Sequence, residues 1–392
     1  MACSATMSRK TVAEREKDEL SASIVEYFAS IPDPRVERTK QHSLTDILVL
    51  SLCGVICGAN AFTDIEKFGR AKEDWLRTFL ELPNGIPSHD TLGRVFSALN
   101  PIALAEAFRQ WVSAVARLTQ GEVVAIDGKT LRRSFREAGS KSFVHMVSAF
   151  ATSNRVVLAQ VKTDEKSNEI TAIPRLLELL ALKGCLVTID AMGCQKEIAA
   201  AIVDAGADYL LGVKDNQPTL RTEIAAIFDH ARRNPKELDV DFHETRDNGH
   251  GRIEIRRCWT TSLVESLSQH RQWTNLNSLA MIEVDRTVGG QTSTEQRYFI
   301  SSQANLSASV ALNSSRRHWG IENEVHWVLD VAFREDDCRI RAGHAAENFA
   351  VIRHLSLNLL KSVKNAKGGI HSRRLQAGWN NDFLLRVLAA TP

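Results

Sequence analysis

The chain is predicted to be an α/β protein with an all-α N-terminal domain, a mixed sheet whose strands alternate with helices, and a β-rich insertion before the last helices. Three observations predict this. No convincing strand pattern occurs before about residue 119, short β-branched runs alternate with helical segments from Val123 onward, and alternating strands dominate from Pro235 to Ser302. The expected divisions are a helical domain over 1–118, the first part of the core over 119–234, the insertion over 235–302, the last part of the core over 303–364, and a loose tail over 365–392.

Composition narrows the function. A chain of 392 residues, 44% hydrophobic and 24% charged, can bury a large core and shows no sign of disorder. Its formal net charge is only +2, so any basic surface must be local. The seven cysteines are scattered without CxxC or Cys/His ligand spacing, which suits reduced thiols in a cytosolic protein. The N-terminus through Glu19 is polar and unlike a signal peptide, and the longest apolar run, Ile47 to Cys57, is shorter than the roughly 18 residues of a membrane span. A cytoplasmic protein without membrane contact is expected, nucleoid-associated when on DNA.

In chain order, Thr11 to Ala29 has helical spacing, Ile31-Pro32-Asp33-Pro34 breaks it, and Ser43 or Thr45 can cap the apolar helix that follows. A helix over about Asp64 to Leu80, the turn Pro83 to Pro87, and a short helix His89 to Leu99 capped by Ser88 come next. Thr91, Arg94 and Ser97 lie on or near one face there, so the 83–99 pair is either a DNA-reading corner or an ordinary helical one. Ala103 to Leu118 is the helix that leads into the sheet.

Val123 to Ile126 reads as a buried strand ending at Asp127-Gly128, with Lys129, Arg132, Arg133 and Arg136 behind it. Asp-Gly also favours turns for backbone reasons alone. Phe143 to Phe150 and Arg155 to Val161 form a hairpin across Thr152-Ser153-Asn154, and a helix capped by Asn168 runs to Leu182. Cys185 to Ile189 is a fourth strand, apolar throughout, that ends in Asp190. A helix Gln195 to Ala205, a strand Asp208 to Val213 and a helix beyond Pro218 complete the order β-β-β-α-β-α-β-α. That order is a ribonuclease H-like mixed sheet, in which Asp127 and Asp190 end side by side.

Phe242 to Thr261 and Leu279 to Ile300 alternate, with a turn at Gly289-Gly290. Arg252, Arg256 and Arg257 there are either a DNA face or solvated strand charges. In the helical stretch 307–333, Ile321, Val325, Val328, Leu329 and Ala332 form an apolar stripe, and Glu322 borders it on the face of His318 and His326. A last helix spans Ala345 to Ser362.

Two carboxylates about 4 Å apart in a partly screened cleft repel by about 4 kcal/mol, so such a pair needs a proton or a cation. Oxygen ligands from two strand ends and a helix, without thiolates, suit Mg2+ or Mn2+, and two such ions serve in-line displacement at phosphorus. Asp127, Asp190 and Glu322 are the expected ligands, with Glu324, Asp330 and Asp336 as rivals for the third place. Lys129, Arg132, Arg133, Lys214, Arg316, Arg317 and His318 are the candidate DNA contacts. His318, Glu322 and His326 are a weaker candidate for zinc, because the HExxH spacing is missing. Asn168 and Glu169 follow a charged loop and could approach the cleft, but helix capping explains them adequately, and core packing rather than base stacking explains Trp319 and Trp327.

The segments LPNGIPSHDTLGRVFSALNP, AIDGKTLRRSF, KSNEITAIPRLLELL, VTIDAMGCQKEIA, YLLGVKDNQPTL, NGHGRIEIRR and HWGIENEVHWVLDVAFREDDCRIR resemble, in that order, the bacterial insertion-sequence transposases of the H-repeat-associated branch. The resemblance covers about Asp33 to Lys361. It implies an Asp-Asp-Glu nuclease and strand-transferase that needs divalent metal, with Asp127, Asp190 and Glu322 as ligands, and that acts on double-stranded DNA, both terminal repeats and target, as a homo-oligomer on paired ends. Around the glutamate the wider superfamily shows tyrosine, arginine and lysine where this chain has Ser315, His318 and Leu329, so the phosphate contacts of that arginine and lysine do not carry over. A nuclease of the same fold without strand transfer and an idle DNA-binding remnant are the competing readings.

Overall fold

The structure, a computed structural model, describes residues 26–116, 118–134, 143–163, 169–234, 236–249 and 251–390. Most of the helix expected over Thr11 to Ala29, together with Arg136, Asn168 and Pro235, lies outside them. The chain divides into two compact units, one of Met1–Arg117, Thr130–Val144 and Trp327–Pro392, the other of Leu118–Lys129 and His145–His326.

The first unit is helical, and its helices start where the sequence supplies caps. Ser43 accepts the Asp46 N–H ahead of Leu44–Ile56, Ser88 accepts the Thr91 N–H ahead of His89–Ala98, and Asn100 caps Pro101–Val115. Ala345–Ser362 is buried on every side along most of its length. Such a helix needs partners all round, and the N-terminal helices supply them: Phe349 meets Phe62 and Phe96 at ring distances of 5.5 and 6.1 Å, and the Asn348 amide donates to the Phe96 and Leu99 carbonyls, both at 2.9 Å. This helix was expected in the catalytic core, and it belongs instead with the N-terminal helices. Ser97, expected on the polar face of the short helix, is half-buried, and its carbonyl accepts the His344 N–H.

The expected loose tail is also corrected. Ile370–Trp379 and Asn381–Leu388 are helices whose residues Ala377, Phe383, Leu384, Val387 and Leu388 are buried. Arg374 is buried with them. Its guanidinium donates to the carbonyls of Val55, Ala59 and Ala332 and lies over the Phe333 ring, binding carbonyls at or just beyond two helix ends.

The second unit is built on one nine-stranded sheet. Its strands are β1 (Val123–Leu131), β2 (Val144–Ala151), β3 (Val156–Lys162), β4 (Leu186–Ile189), β5 (Asp208–Val213), β6 (Asp241–Gly249), β7 (Arg252–Thr261), β8 (Ser278–Val288) and β9 (Gln291–Ser301), in the spatial order β3-β2-β1-β4-β5-β9-β8-β7-β6. β1, β4 and β5 run parallel, with Val123 opposite Leu186 and Ile126 opposite Ile189. The expected insertion is therefore an extension of this sheet rather than a separate body, because β9 pairs antiparallel with β5. Gly289 and Gly290, both at positive φ, make the β8–β9 turn. The helix Ala308–His318 lays Ala308, Ala311 and Leu312 on Leu186, Leu210, Ala280 and Ile282, each buried aliphatic side chain contributing about 1.5–3 kcal/mol.

Candidate active site

Asp127 does not stand at a turn. β1 continues through Gly128 to Leu131, and only its pairing with β4 stops at Ile126. The carboxyl therefore projects from the point where β4 leaves the ladder, beside Asp190, the residue that follows β4. Asp190 turns the chain out of the strand by accepting the Met192 N–H at 3.0 Å. Parallel pairing of two buried apolar runs thus brings two acids together at one edge.

The electrostatics follow from that placement. Burial, and then Glu169, Asp190 and Glu322, raise the Asp127 carboxyl to about 7 against one stabilising bond from the Gly128 N–H. Burial and Glu169 raise Asp190, opposed by the Met192 and Gly193 N–H groups and by Lys214. Burial and Asp190 raise Glu322, opposed by Arg297. Asp190 and Glu322 thus act on Asp127, and Asp190 on Glu322. Glu169 acts on Asp127 and Asp190.

Glu322 arrives on an irregular turn. After Ala308–His318 the helix widens into a π turn, Glu322–His326, where the sequence predicts an unbroken helix. Ile321, Val325, Leu329 and Ala332 are buried as the stripe requires. His318 turns inward and lies 3.1 Å from the Thr188 hydroxyl on β4, and burial pushes its imidazole down to about 4. His326 lies 3.4 Å from Asp127. The histidines are thus committed to different partners, and the zinc alternative on this helix is not formed. Trp319 and Trp327, expected in the core, are 38% and 61% exposed, and Arg297 sits over the Trp319 ring.

Among the rivals of Glu322, Glu324 bonds Arg155 at 2.6 Å, and Asp330 and Asp336 belong to the helical unit. Of the candidate DNA contacts, Lys214 is exposed, Arg317 is exposed and donates to Ser153, and the Lys129 ammonium reaches the His326 carbonyl at 3.4 Å. Arg316 pairs with Asp247, and in the helical unit Arg132 and Arg133 pair with Asp336 and Asp337. These exposed pairs are worth about 0–1 kcal/mol and exchange readily for phosphate. Arg256 and Arg257 are held by Asp247 and Glu254, and by Glu244, Glu283 and Asp285, so they read as cross-strand pairing rather than a DNA face.

Sequence reasoning set Glu169 aside in favour of helix capping and missed its partner His145, whose Nε2 lies 2.7 Å from the Glu169 carboxylate. An acid in a helix's first turn already has a local explanation, the macrodipole, and only the packing of that helix shows another. The donor set, all carboxylate, fits a hard divalent cation. As placed, no group of three or more His, Cys, Asp or Glu among the described residues is gathered closely enough to hold one.

No helix among the described residues is long and apolar enough to cross a membrane. Residues 25–112 match the family described as DDE_Tnp_1-associated, and residues 118–359 the family described as Transposase DDE domain. The chain is 42% identical over 378 residues to "Putative transposase YncI" of Escherichia coli O157:H7, covering 94% of this chain and 95% of that protein. It is 40% identical over 373 residues to "H repeat-associated putative transposase YhhI" of Escherichia coli (strain K12), covering 94% and 98%. A solved piggyBac transposase synaptic complex with hairpin DNA shares 8% identity at a TM-score of 0.42, over 93% of this chain and 79% of that one. With one family match spanning more than half of the chain and both relatives covered almost end to end, the chain belongs to the bacterial DDE transposase family.

Proposed function

We propose that the chain cleaves DNA at the ends of an insertion sequence and joins the freed 3′ ends to target DNA, using Asp127, Asp190 and Glu322 on a ribonuclease H-like core. The observation that carries this reading is the half-buried Asp127 carboxyl at the edge of a parallel strand pair, raised to about 7 by burial and by Glu169, Asp190 and Glu322. Like charges brought together at one sheet edge repel, and a cation bound among them offsets that repulsion. Bound there, one or two Mg2+ or Mn2+ ions would supply Lewis-acid stabilisation at the scissile phosphate and activate the attacking hydroxyl.

The protein's own part is positional. Asp127 and Asp190 present oxygen ligands from adjacent strands, and Glu322 adds a third from the π turn. His318, neutral, braces the end of β4 through Thr188. Lys214 and Arg317 hold the DNA backbone, aided by Lys129, Arg132, Arg133 and Arg316. The chain works as a homo-oligomer on two paired ends.

The test uses the purified full-length protein, a labelled double-stranded DNA end of the element and a target duplex, with Mg2+ or with chelator. Metal-dependent nicking followed by products whose 3′ ends are joined to target DNA is expected, with Asp127→Asn retaining DNA binding and losing both reactions. Nicking without joined products leaves a nuclease. Cleavage that persists in chelator overturns the metal site.

A further inference from the structure

We infer that Arg297, on strand β9, holds a DNA backbone phosphate beside Asp190 and Glu322, with the Trp319 ring as the shelf that orients its guanidinium. This rests on the proposed function of the site and adds a substrate contact from the sheet extension.

Register carries Arg297 to the acids' side of the sheet. Ala125 lies opposite Thr188, Thr188 opposite Leu210, and Leu210 opposite Ser301. Side chains two residues apart share a face, so Asp127, Asp190 and Arg297 lie on the face of Leu210. The helix Ala308–His318 covers that face, and Phe299 packs beneath it. They also lie at one edge. β9 runs antiparallel to β5 with Tyr298 opposite Val213, so Arg297 continues past the end of β5, beyond the level at which Asp190 leaves β4. At about 4.8 Å between strands and about 3.3 Å per residue, its Cα stands about 12 Å from that of Asp190, a span that a long side chain and a phosphate fill.

The side chain is turned toward the segment that carries Glu322. Its Cζ lies 5.0 Å from the centre of the Trp319 ring, and Trp319 ends the helix Ala308–His318 one turn before Glu322. An indole face orients a guanidinium while leaving its edge to donate. Glu295 takes the Nε and Nη2 groups at 2.8 Å each, which leaves Nη1 for a phosphate. Arg256 meets two carboxylates and Arg257 three, whereas Arg297 is paired with Glu295 alone among the described residues, an acid 58% exposed. Such a pair is weak, and phosphate can replace the carboxylate. From His318 through Phe333 the chain holds no lysine or arginine, so the segment that brings Glu322 to a polyanion has no such cation of its own. Arg297 supplies one across the sheet face.

The experiment uses the full-length protein and a labelled double-stranded DNA end of the element. Binding is followed over a KCl series with Mg2+ present in an Asp127→Asn background, where the strand stays whole. Adding Arg297→Gln should lower the slope of log K against log salt by about 0.9, the loss of one phosphate contact. With Asp127 intact, Arg297→Gln should slow nicking about tenfold or more at saturating DNA while its urea midpoint stays at the parent's. Arg297→Lys, which keeps the charge and loses the planar fork, should restore the slope and only part of the rate. Arg233→Gln, at the end of the helix Pro218–Arg233 on the other face of the sheet, where Arg232 meets Glu283, should leave both unchanged.

If Arg297→Gln keeps the parent's slope and nicking rate while Asp127→Asn does not nick, the phosphate contact is overturned and the acid site stands. Arg297→Lys losing the slope as fully as Arg297→Gln makes the arginine a structural group and overturns the contact too. If Asp127→Asn nicks like the parent, the site reading falls and this inference with it.

Discussion

The clearest consequence of the acid pocket is that the metal-free protein is strained at neutral pH, and that removing one negative charge relieves the strain. Asp127 rises from an ordinary 3.8 to about 7, which at about 1.36 kcal/mol per pH unit is about 4 kcal/mol. The sign follows from proton counting. Between pH 4 and 7 the folded chain holds a proton on Asp127 that the unfolded chain has released, so this group makes stability fall as pH rises through that window. Above pH 7 the full cost is present; below pH 4 it is gone. Asp127→Asn cannot ionise. In chelator at pH 8 it should exceed the parent by up to about 4 kcal/mol, on the order of 10 °C in Tm for a unit of this size, and at pH 4 the difference should vanish. Urea unfolding of both proteins in chelator at pH 4, 6 and 8 measures it. The parent should also gain from Mn2+ at pH 8 far more than the variant. An Asn variant no more stable than the parent at pH 8 would refute the claim that like charges are held together here.

His318 gives the opposite slope. Its folded-state pKa of about 4 lies below the ordinary 6.5, so roughly 3 kcal/mol of stability present above pH 6.5 is lost as pH falls toward 4; His318→Gln should flatten that limb when compared with the parent by urea unfolding. Arg374→Ala removes the guanidinium donor from the carbonyls of Val55, Ala59 and Ala332, of which Val55 keeps the Gly58 N–H, and should cost about 3 kcal/mol in the helical unit, seen as early loss of helical circular dichroism on heating. Gly193→Ala places a Cβ 2.3 Å from the Ile189 Cγ2, just beyond Asp190; about 1–3 kcal/mol of destabilisation is expected, with weaker Mn2+ binding because the Asp190 turn must move.

What was legible in the sequence is what short-range pattern encodes. Val123 to Ile126 and Leu186 to Ile189 are apolar without alternation, which marks strands covered on both faces, and the acids that follow them had to emerge at an edge. The stripe Ile321, Val325, Leu329 and Ala332 placed the third acid on a helix whose other side is packed. What was hidden depends on partners distant in the chain. The helix Ala345–Ser362 carries Glu347, Asn348, Arg353, His354, Ser356 and Asn358 among its apolar residues, so its sequence states neither that all of these are buried nor in which unit. Arg256 and Arg257 appear as free cations until β6 and β8 bring Asp247, Glu244, Glu283 and Asp285 beside them. Trp319 and Trp327 look like core residues, yet they are 38% and 61% exposed, Trp319 with the Arg297 guanidinium over its ring. Glu169 has a sufficient local explanation in helix capping, and its contact with His145, 24 residues earlier, is not legible from spacing.

The sheet extension explains how a glutamate more than a hundred residues beyond Asp190 reaches it. The chain leaves the core at the end of β5 and returns on β9, and these two strands pair with each other, Val213 opposite Tyr298 and Leu210 opposite Ser301. The return is pinned: the Ser301 hydroxyl donates to the Tyr209 carbonyl at 2.6 Å, and the Ser302 hydroxyl accepts the Tyr209 N–H at 2.9 Å while donating to Asp208. Because β9 runs antiparallel to β5, it delivers the chain to the edge of the sheet away from the acids. The helix Ala308–His318 must then climb back. Its 11 residues span about 16 Å at about 1.5 Å per residue, the length of roughly five strand residues at about 3.3 Å each. That rise brings His318 level with Thr188, two residues before Asp190, and the next turn delivers Glu322. The strands between β5 and β9 also support that helix: Ala311 and Leu312 rest on Ala280 and Ile282 of β8, and the Ala308 N–H donates to the Asp241 carboxylate of β6 at 2.8 Å.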